Sequence, residues 1–278
     1  MDIKTILVHV DESQGAADRI GFAAQLANLH GAHLIAMAQT GILPFMREAT
    51  LPGVELGDLT PLFGDLRASA ERCADQFDAM ARQASVASFE HRIDDEDAAV
   101  AIALNALYAD LVVVGHAGAP TSGYGAGAGV PEYVAMNSPA PVLVLPSERP
   151  CKPAFGRVLL AWNASPEAAR ALRLALPLLA GAAEVEVALF DEESSSARPP
   201  EGDADLIRFL SRHGVHAEVR RHHARAEVGN ALLVLAEDRK ADLLVMGCYG
   251  HSRYREVLLG GVSRTVLRRL PLPVVLAH

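Results

Sequence analysis

The feature that most restricts the fold of this 278-residue chain is that its second half repeats its first. The segment TILVHVDESQGAADRIGFAAQLA, which begins at Thr5, aligns with RVLLAWNASPEAARALRLALPLL, which begins at Arg157. Both segments consist of an apolar run, a short polar turn with a shared serine (Ser13 or Ser165), and a stretch of helical periodicity. A repeat of this kind predicts two copies of one folding unit.

The repeat continues to the end of each half. The segment YADLVVVG (108–115) aligns with KADLLVMG (240–247), and each half closes on a proline-flanked apolar run. We therefore predict two domains, at 1–149 and 150–278. The first half is longer, and its additional residues fall at 41–66, a segment rich in proline and glycine without a sustained period. We predict an inserted loop there.

Within each half, short apolar runs alternate with longer segments of helical period, through five strands. Continuous apolar strands that alternate with helices predict an α/β fold with a doubly wound parallel sheet, covered on both faces. Such sheets bind ligands beyond the carboxyl ends of their strands, at the point where the strand order reverses. The first and fourth strands end at Asn163 and Gly247 in the second half, and at Asp11 and Gly115 in the first. If those strands are neighbours, each pair meets in one crevice.

Composition excludes several classes of function. The net charge is −9 and the sequence pI is about 5.6, which argues against nucleic acid as a partner because a phosphate backbone favours a basic face. The three cysteines lie far apart without a CxxC pair, so neither a disulfide framework nor a zinc site is indicated. There is no signal-peptide layout and no apolar segment of membrane-spanning length. We expect a cytoplasmic protein with no membrane partner.

The segment GCYGHSRYREVLLGG (247–261) lies between a buried strand and the last helix of the second half. Its glycines allow close approach of the backbone to a ligand, and a helix start favours an anion such as phosphate. Arg253 and Arg255 add positive charge. No GxxxxGK[ST] motif occurs, so this is not a P-loop. If this segment binds the phosphate groups of a ligand, the residues that hold them would be Gly247, Gly250, Gly260, Gly261, Val262, Ser263 and Arg253.

These motifs resemble those of the universal stress protein family. The segment GCYGHSRYREVLLGGVSR is similar to the family's G-x2-G-x9-G-[ST] signature, and Asp11 and the closing PxPVxxx strand fit as well. Because both halves carry the resemblance, the chain looks like a tandem member. The resemblance implies two five-stranded sheets of order 3-2-1-4-5, an adenine-nucleotide α-hydrolase-like fold, and in many members ATP or AMP as ligand, with or without Mg²⁺. It also implies an internal pseudo-dimer of the two repeats, packed through their last strands, with a homodimer as a further assembly.

The resemblance also implies which residues bind the nucleotide. The position after strand one contacts the nucleoside, the end of strand two contacts the base, and the glycine loop holds the phosphates. In the second half the implied site comprises Asn163, Phe190, Met246, Gly247, Gly250, His251, Arg253, Gly260, Gly261, Val262 and Ser263. In the first half a second site would comprise Asp11, Gly115, Gly118 and Gly129.

Each half departs from the family pattern. In the second half, Asn163 replaces the aspartate and Gly261 stands at the [ST] position. In the first half Asp11 is kept, but the loop GHAGAPTSGYGAGAG contains no Arg or Lys. The better phosphate loop is therefore in the second half, which is where we expect the nucleotide.

The leading hypothesis is a cytoplasmic stress-response protein that binds adenine nucleotide and is non-catalytic or only weakly ATP-hydrolysing. The alternative is a protein-interaction or scaffold module of the same fold, in which the glycine loops are structural. An adenylate-forming enzyme is a third hypothesis, but neither DESQGAAD nor NASPEAAR supplies its SGGxDS-type loop. No catalytic residue is assigned.

Two polar clusters have simpler interpretations than metal binding. The four acids at 94–97 precede a helix, where they favour N-capping and interact favourably with the positive end of the helix dipole. Among the histidines at 213–223, His222 and His223 would point to opposite faces of a strand, which favours a solvent-exposed strand over a metal site.

Overall fold

The computed structural model describes residues 2–48, 59–116, 129–147, 150–191, 201–223, 227–248 and 261–278. The chain forms two compact units, which we call the first unit (2–153) and the second unit (154–278).

Five parallel strands form the sheet of the first unit, in the order β3-β2-β1-β4-β5. The strands are β1 (Thr5–His9), β2 (His33–Gln39), β3 (Phe89–Asp94), β4 (Leu111–Gly115) and β5 (Val142–Leu145). The helices are α1 (Ala16–His30), α2 (Ile42–Glu48), α3 (Thr60–Gln83), α4 (Ala98–Asn105) and α5 (Val130–Asn137), with a 3-10 turn at Ala106–Tyr108.

The second unit repeats this topology, with parallel strands in the order β10-β9-β6-β7-β8. Its strands are β6 (Arg157–Ala161), β7 (Glu184–Asp191), β8 (Ala217–His223), β9 (Leu243–Gly247) and β10 (Val274–Ala277). Its helices are α6 (Pro166–Leu179), α7 (Glu201–Arg212), α8 (Val228–Asp238) and α9 (Val262–Arg269). Both orders correspond to 3-2-1-4-5, so the predicted fold class is confirmed.

Each core is aliphatic and includes strands that are buried along nearly their whole length. All four residues of β5 and β10 are buried, as are the first four of β4 and β9. Continuous burial of this kind arises when helices cover both faces of a parallel sheet. The largest fully buried side chains include Phe22 and Phe77, which α1 and α3 contribute to the first unit.

The segment 41–66 is more helical than the predicted loop. Helix α2 occupies Ile42–Glu48, and α3 begins at Thr60. Proline and glycine suggested irregular structure, but a proline in the first turn of a helix sacrifices no intrahelical hydrogen bond. Pro61 has such a place in α3, and the Ile42 amide at the start of α2 donates to Thr40 Oγ1 at 3.2 Å. Residues 49–58 lie outside the described ranges.

Asp97 caps α4, as the sequence predicts for the acids at 94–97. Its Oδ1 accepts a hydrogen bond from the Ala99 amide at 2.9 Å. Within the described ranges, no helix combines the length and the apolar character that a bilayer crossing requires.

Candidate functional site

The carboxyl ends of β6, β7 and β9 lie at one edge of the second sheet, where the strand order reverses, and we call this edge the crevice of the second unit. Strands β6 and β9 are neighbours, with Leu160 opposite Val245, so Asn163 and Gly247 follow adjacent strands at one edge. Strand β7 lies on the other side of β6, which brings Phe190 to the same edge. Met246 is buried beside Leu276 of β10. The strand order thus places Asn163, Phe190 and Gly247 at one edge of the sheet, and their part in a binding site stays a prediction.

The turn after β6 is held by two local hydrogen bonds. Asn163 is exposed, and its Oδ1 accepts from the Ser165 amide at 3.1 Å. Ser165 in turn caps α6, since its Oγ accepts from the Ala168 amide at 3.1 Å. Local side-chain hydrogen bonds of this kind fix a turn. They hold Asn163 at the edge of the sheet, where its role with a nucleoside stays a prediction.

Gly247 is a point of close approach between β9 and α6. A Cβ added at this glycine would lie 2.5 Å from the Ala168 amide nitrogen and 2.6 Å from the Glu167 carbonyl carbon. Both atoms belong to the main chain of the first turn of α6, which has no freedom to move aside. Glycine is therefore required at this position for packing, whatever the crevice binds.

Glu167 is a polar residue of this region that the sequence analysis did not single out. Its Oε2 is buried and has no hydrogen-bond partner among the described residues. The positive end of the α6 dipole favours a carboxylate in this first turn. In the sequence, a glutamate after a proline at a helix start indicates only a favourable interaction with the helix dipole. Nothing in that pattern predicts that Glu167 Oε2 is buried beside Gly247.

Helix α9 begins beside the start of α8. A Cβ added at Gly229, in the first turn of α8, would lie 2.8 Å from Thr265 Cβ, in the first turn of α9. Gly261 is the N-cap of α9, and Ser263 in its first turn is buried. A glycine N-cap offers no side-chain acceptor to the helix. Two adjacent helix starts produce a positive potential that favours an anion.

An ion pair occupies the corresponding crevice of the first unit. Arg19 of α1 is buried, with 4% of its side chain exposed, and its Nη2 lies 2.8 Å from Asp11 Oδ1. Its Nε donates to the His9 carbonyl oxygen at 2.7 Å. A Cβ added at Gly115 would lie only 2.2 Å from Arg19 Nη1, so the guanidinium lies against the end of β4.

His9 and Gln39 complete this network. His9 Nε2 lies 3.1 Å from Gln39 Oε1, and His9 Nδ1 lies 3.6 Å from Asp11 Oδ2. Burial, and then the charge of Arg19, lower the pKa of His9 from 6.5 to about 4, which keeps the ring neutral at physiological pH. Burial alone would raise the pKa of Asp11, but the Arg19 guanidinium outweighs it and holds that pKa well below its ordinary value.

The start of α5 differs from that of α9. Its N-cap, Gly129, has a φ of +95°, a left-handed conformation that favours glycine. Pro131 lies in its first turn, where the repeat alignment places Ser263 in the second unit. Proline has no amide hydrogen, so α5 offers one main-chain donor and one hydroxyl fewer than α9.

Comparison with known proteins identifies the family. The model of the universal stress protein family matches residues 2–146 and again residues 154–278. The chain belongs to the universal stress protein family. The double match agrees with the tandem arrangement that the internal repeat predicts.

A curated relative and two solved structures show how far the likeness extends. Universal stress protein Slr1230 of Synechocystis sp. is 29% identical over 150 residues, which is 52% of this chain and 49% of that protein, so the match spans about half the length of each. A universal stress protein structure from Archaeoglobus fulgidus DSM 4304 is 18% identical, with a TM-score of 0.70 over 99% of this chain and 96% of that one. A putative universal stress protein from Pseudomonas aeruginosa UCBPP-PA14 is 17% identical, with a TM-score of 0.50 over 99% and 93% of the two chains. The two structures show a shared fold.

Part of the universal stress protein signature lies outside the described residues. Those positions are Gly250, His251, Arg253 and Gly260 in the second half and Gly118 in the first. Within the described ranges, no group of three or more His, Cys, Asp or Glu side chains is arranged to hold a metal ion. Of the histidines considered for that role, His222 Nε2 lies 3.0 Å from Glu186 Oε1, and its ring centroid is 5.5 Å from that of Phe190.

Arg19, Pro131 and Glu167 are not among the residues predicted from the sequence. Arg19 carried one signal, since it is an arginine on a helix face that is otherwise apolar and aligns with Ala171 in the other repeat. Pro131 carried another, since it removes a donor from the helix start that the universal stress protein signature uses.

Proposed function

We propose that this universal stress protein binds an adenine nucleotide, ATP or AMP, in the crevice of its second unit and acts in a cytoplasmic stress response. The observation that carries the proposal is the start of α9. This helix start has a glycine N-cap and lies beside the start of α8. Both helices begin at the carboxyl ends of the parallel strands, which is where such sheets bind ligands.

The phosphate groups bind at the start of α9. Gly261, Val262 and Ser263 form its first turn, and Arg253 of the preceding loop adds positive charge. Gly247, Gly250 and Gly260 are the loop glycines of the family signature. Main-chain N–H groups and one dipole end recognise a phosphate without a lysine, which explains how the site functions without a P-loop.

The nucleoside binds at the ends of β6 and β7. Asn163 is exposed and carries both a donor and an acceptor, so it hydrogen-bonds a ribose hydroxyl or a base edge without contributing charge. Phe190 presents an apolar ring at the end of the neighbouring strand, where stacking on a base contributes about 1–3 kcal/mol.

The protein binds nucleotide rather than turning it over. Hydrolysis needs a base that activates water, usually beside a metal held by carboxylates. Among the described residues no group of three or more His, Cys, Asp or Glu is arranged to hold a metal ion, and we assign Mg²⁺ only to the phosphates of ATP. Measurement of phosphate release from ATP tests this, and turnover at rates typical of enzymes, about 1 per second or more, would contradict it.

Titration with ATP, ADP, AMP and adenosine tests the binding. Trp162 precedes Asn163 directly, so its fluorescence reports on the crevice while calorimetry reports the heat. We expect phosphate-bearing ligands to bind at least about tenfold more tightly than adenosine, because the start of α9 recognises phosphate.

A pair of glycine variants separates the loop from general stability. Gly260→Val removes the close approach to phosphate that the signature implies, and we expect it to weaken ATP binding by about tenfold or more. Gly202→Val is the matched control, because a Cβ at Gly202 of α7 meets nothing within 4 Å. No heat and no fluorescence change with any nucleotide would reject the proposal and favour the protein-interaction module.

A further inference from the structure

The crevice carboxylate of the first unit is already engaged by donors of its own chain. Asp11 Oδ1 accepts from the Ser13 amide at 3.0 Å, from Ser13 Oγ at 2.5 Å and from Arg19 Nη2 at 2.8 Å. All three donors contact Oδ1, whereas Oδ2 lies 3.6 Å from His9 Nδ1, so a nucleoside hydroxyl that bound at Oδ1 would have to displace one of these donors. Displacement of Arg19 would leave a buried cation without its counter-ion, which is among the most unfavourable changes in a protein interior.

The guanidinium also occupies the space between the ends of β1 and β4. A Cβ added at Gly115 would lie 2.2 Å from its Nη1, and its Nε donates a hydrogen bond to the His9 carbonyl oxygen. The guanidinium therefore contacts the end of β1 through His9 and the end of β4 through Gly115. The first glycine of the family signature in this unit is therefore covered by a side chain.

The positions of the second unit that correspond to this ion pair are described by the structure, and they carry no charged side chain. In the repeat alignment, Arg19 corresponds to Ala171. Gln39 corresponds to Phe190, because Gln39 follows the partner of His9 by two residues and Phe190 follows the partner of Ala161 by two residues. All members of the first-unit network are replaced by uncharged residues, and three of the four replacements are apolar. The replacements are Ala161, Asn163, Ala171 and Phe190.

We propose that Arg19 is an internal occupant of the first crevice, which excludes adenine nucleotide from that unit and restricts binding to the second. Pro131 acts in the same direction, because it removes a donor where phosphate would bind. The inference rests on the proposed function, since it states which of two similar crevices accepts the nucleotide and names the residue that decides it.

Replacement of Arg19 by the residue of the second unit tests the inference. Arg19→Ala opens the crevice and frees Asp11, and Arg19→Ala/Pro131→Ser also restores the donor at the start of α5. Arg72→Ala is the matched control, because Arg72 pairs with Glu12 at 2.8 Å in the same unit but is 63% exposed. AMP binding is followed by calorimetric stoichiometry and by hydrogen exchange, which reports the protected segments of each unit separately.

In the native chain and in Arg72→Ala we expect about one AMP per chain, with protection confined to 154–278. In Arg19→Ala we expect a second AMP, with new protection at the ends of β1 and β4, and in the double variant about tenfold tighter binding at that site. AMP protection of β1 and β4 in the native chain would overturn the inference. So would a folded Arg19→Ala that gains no binding in the first unit.

Two further outcomes are distinguishable. If the native chain binds no AMP but Arg19→Ala binds it in the first unit, the proposed function of the second unit fails and the inference about Arg19 stands. If Arg19→Ala does not fold, Arg19→Gln replaces it, because an amide keeps a donor towards the His9 carbonyl while it removes the charge. Failure of Arg19→Gln to bind AMP would then overturn the inference.

Discussion

At the residue scale, the first unit encloses a neutral histidine beside an ion pair. His9 is 6% exposed and contacts Gln39 and Asp11. The positive charge of Arg19 lowers the pKa of its ring. Protonation of this ring would place a second cation beside a buried guanidinium. A histidine kept neutral in this way links the stability of the unit to pH.

The sign of that linkage follows from the two pKa values of His9. In the unfolded chain the ring takes up a proton near pH 6.5, whereas in the folded chain it does so only near pH 4. As the pH falls between these values the unfolded state binds more protons, so the free energy of unfolding falls, by roughly 3 kcal/mol at pH 4. Asp11 acts in a lower window, because its pKa lies below the ordinary 3.8 and its contribution is lost only as the pH falls further.

Urea unfolding of the native chain and of His9→Gln, between pH 7 and pH 4.5, measures this effect. We expect the variant to lose less stability than the native chain as the pH falls. His216→Gln, at an exposed histidine, should follow the native chain. Parallel curves for His9→Gln and the native chain would show that His9 is not the group that couples folding to pH.

At the element scale, the helix starts differ in how they are capped. Asp97 and Ser165 cap α4 and α6 through side-chain hydrogen bonds, whereas Glu227 precedes α8 with no side-chain cap. Glu227 Oε2 instead lies 3.2 Å from Asn230 Nδ2. Equivalent positions of the two repeats thus stabilise their helices by different means.

Alanine substitutions measure this difference. We expect Asp97→Ala to cost about 1 kcal/mol of unfolding free energy, because it leaves the Ala99 amide without its acceptor. Glu227→Ala should cost only a few tenths of a kcal/mol, since it removes a surface side-chain contact. Denaturant midpoints give both values, and equal losses would contradict the assigned caps.

The elements themselves were largely predictable from apolar periodicity, which gave the strands and helices of the second unit in the right order. The exception was the segment 41–66, where prolines suggested a loop and the structure has α2 and the start of α3. The buried face of α3 lies beyond that segment, at Ala70, Ala74, Phe77 and Ala81. The sequence of 41–66 alone does not indicate that α3, which packs through residues beyond that segment, begins as early as Thr60.

At the scale of the whole molecule, the internal repeat predicted two similar folds, and the family signature predicted where each crevice lies. It did not predict that the two crevices differ in content. Arg19 comes from α1, Asp11 from the turn after β1 and Gln39 from β2, and their contact depends on tertiary structure. Alignment with Ala171 marks Arg19 as unusual on its apolar helix face, but neither spacing nor alignment shows that Asp11 is its buried partner.

The close approach at Gly247 has a consequence for how family membership is translated into activity. The main chain of α6 leaves no room for a side chain there, so the position requires glycine whether or not the crevice binds a ligand. At Gly115 the neighbouring atom is the end of the Arg19 side chain, so that glycine is under a weaker steric demand. Glycine at position 247 therefore reports the packing of β9 against α6 rather than ligand binding, and the difference between the two crevices is better followed through position 19 and its counterpart 171.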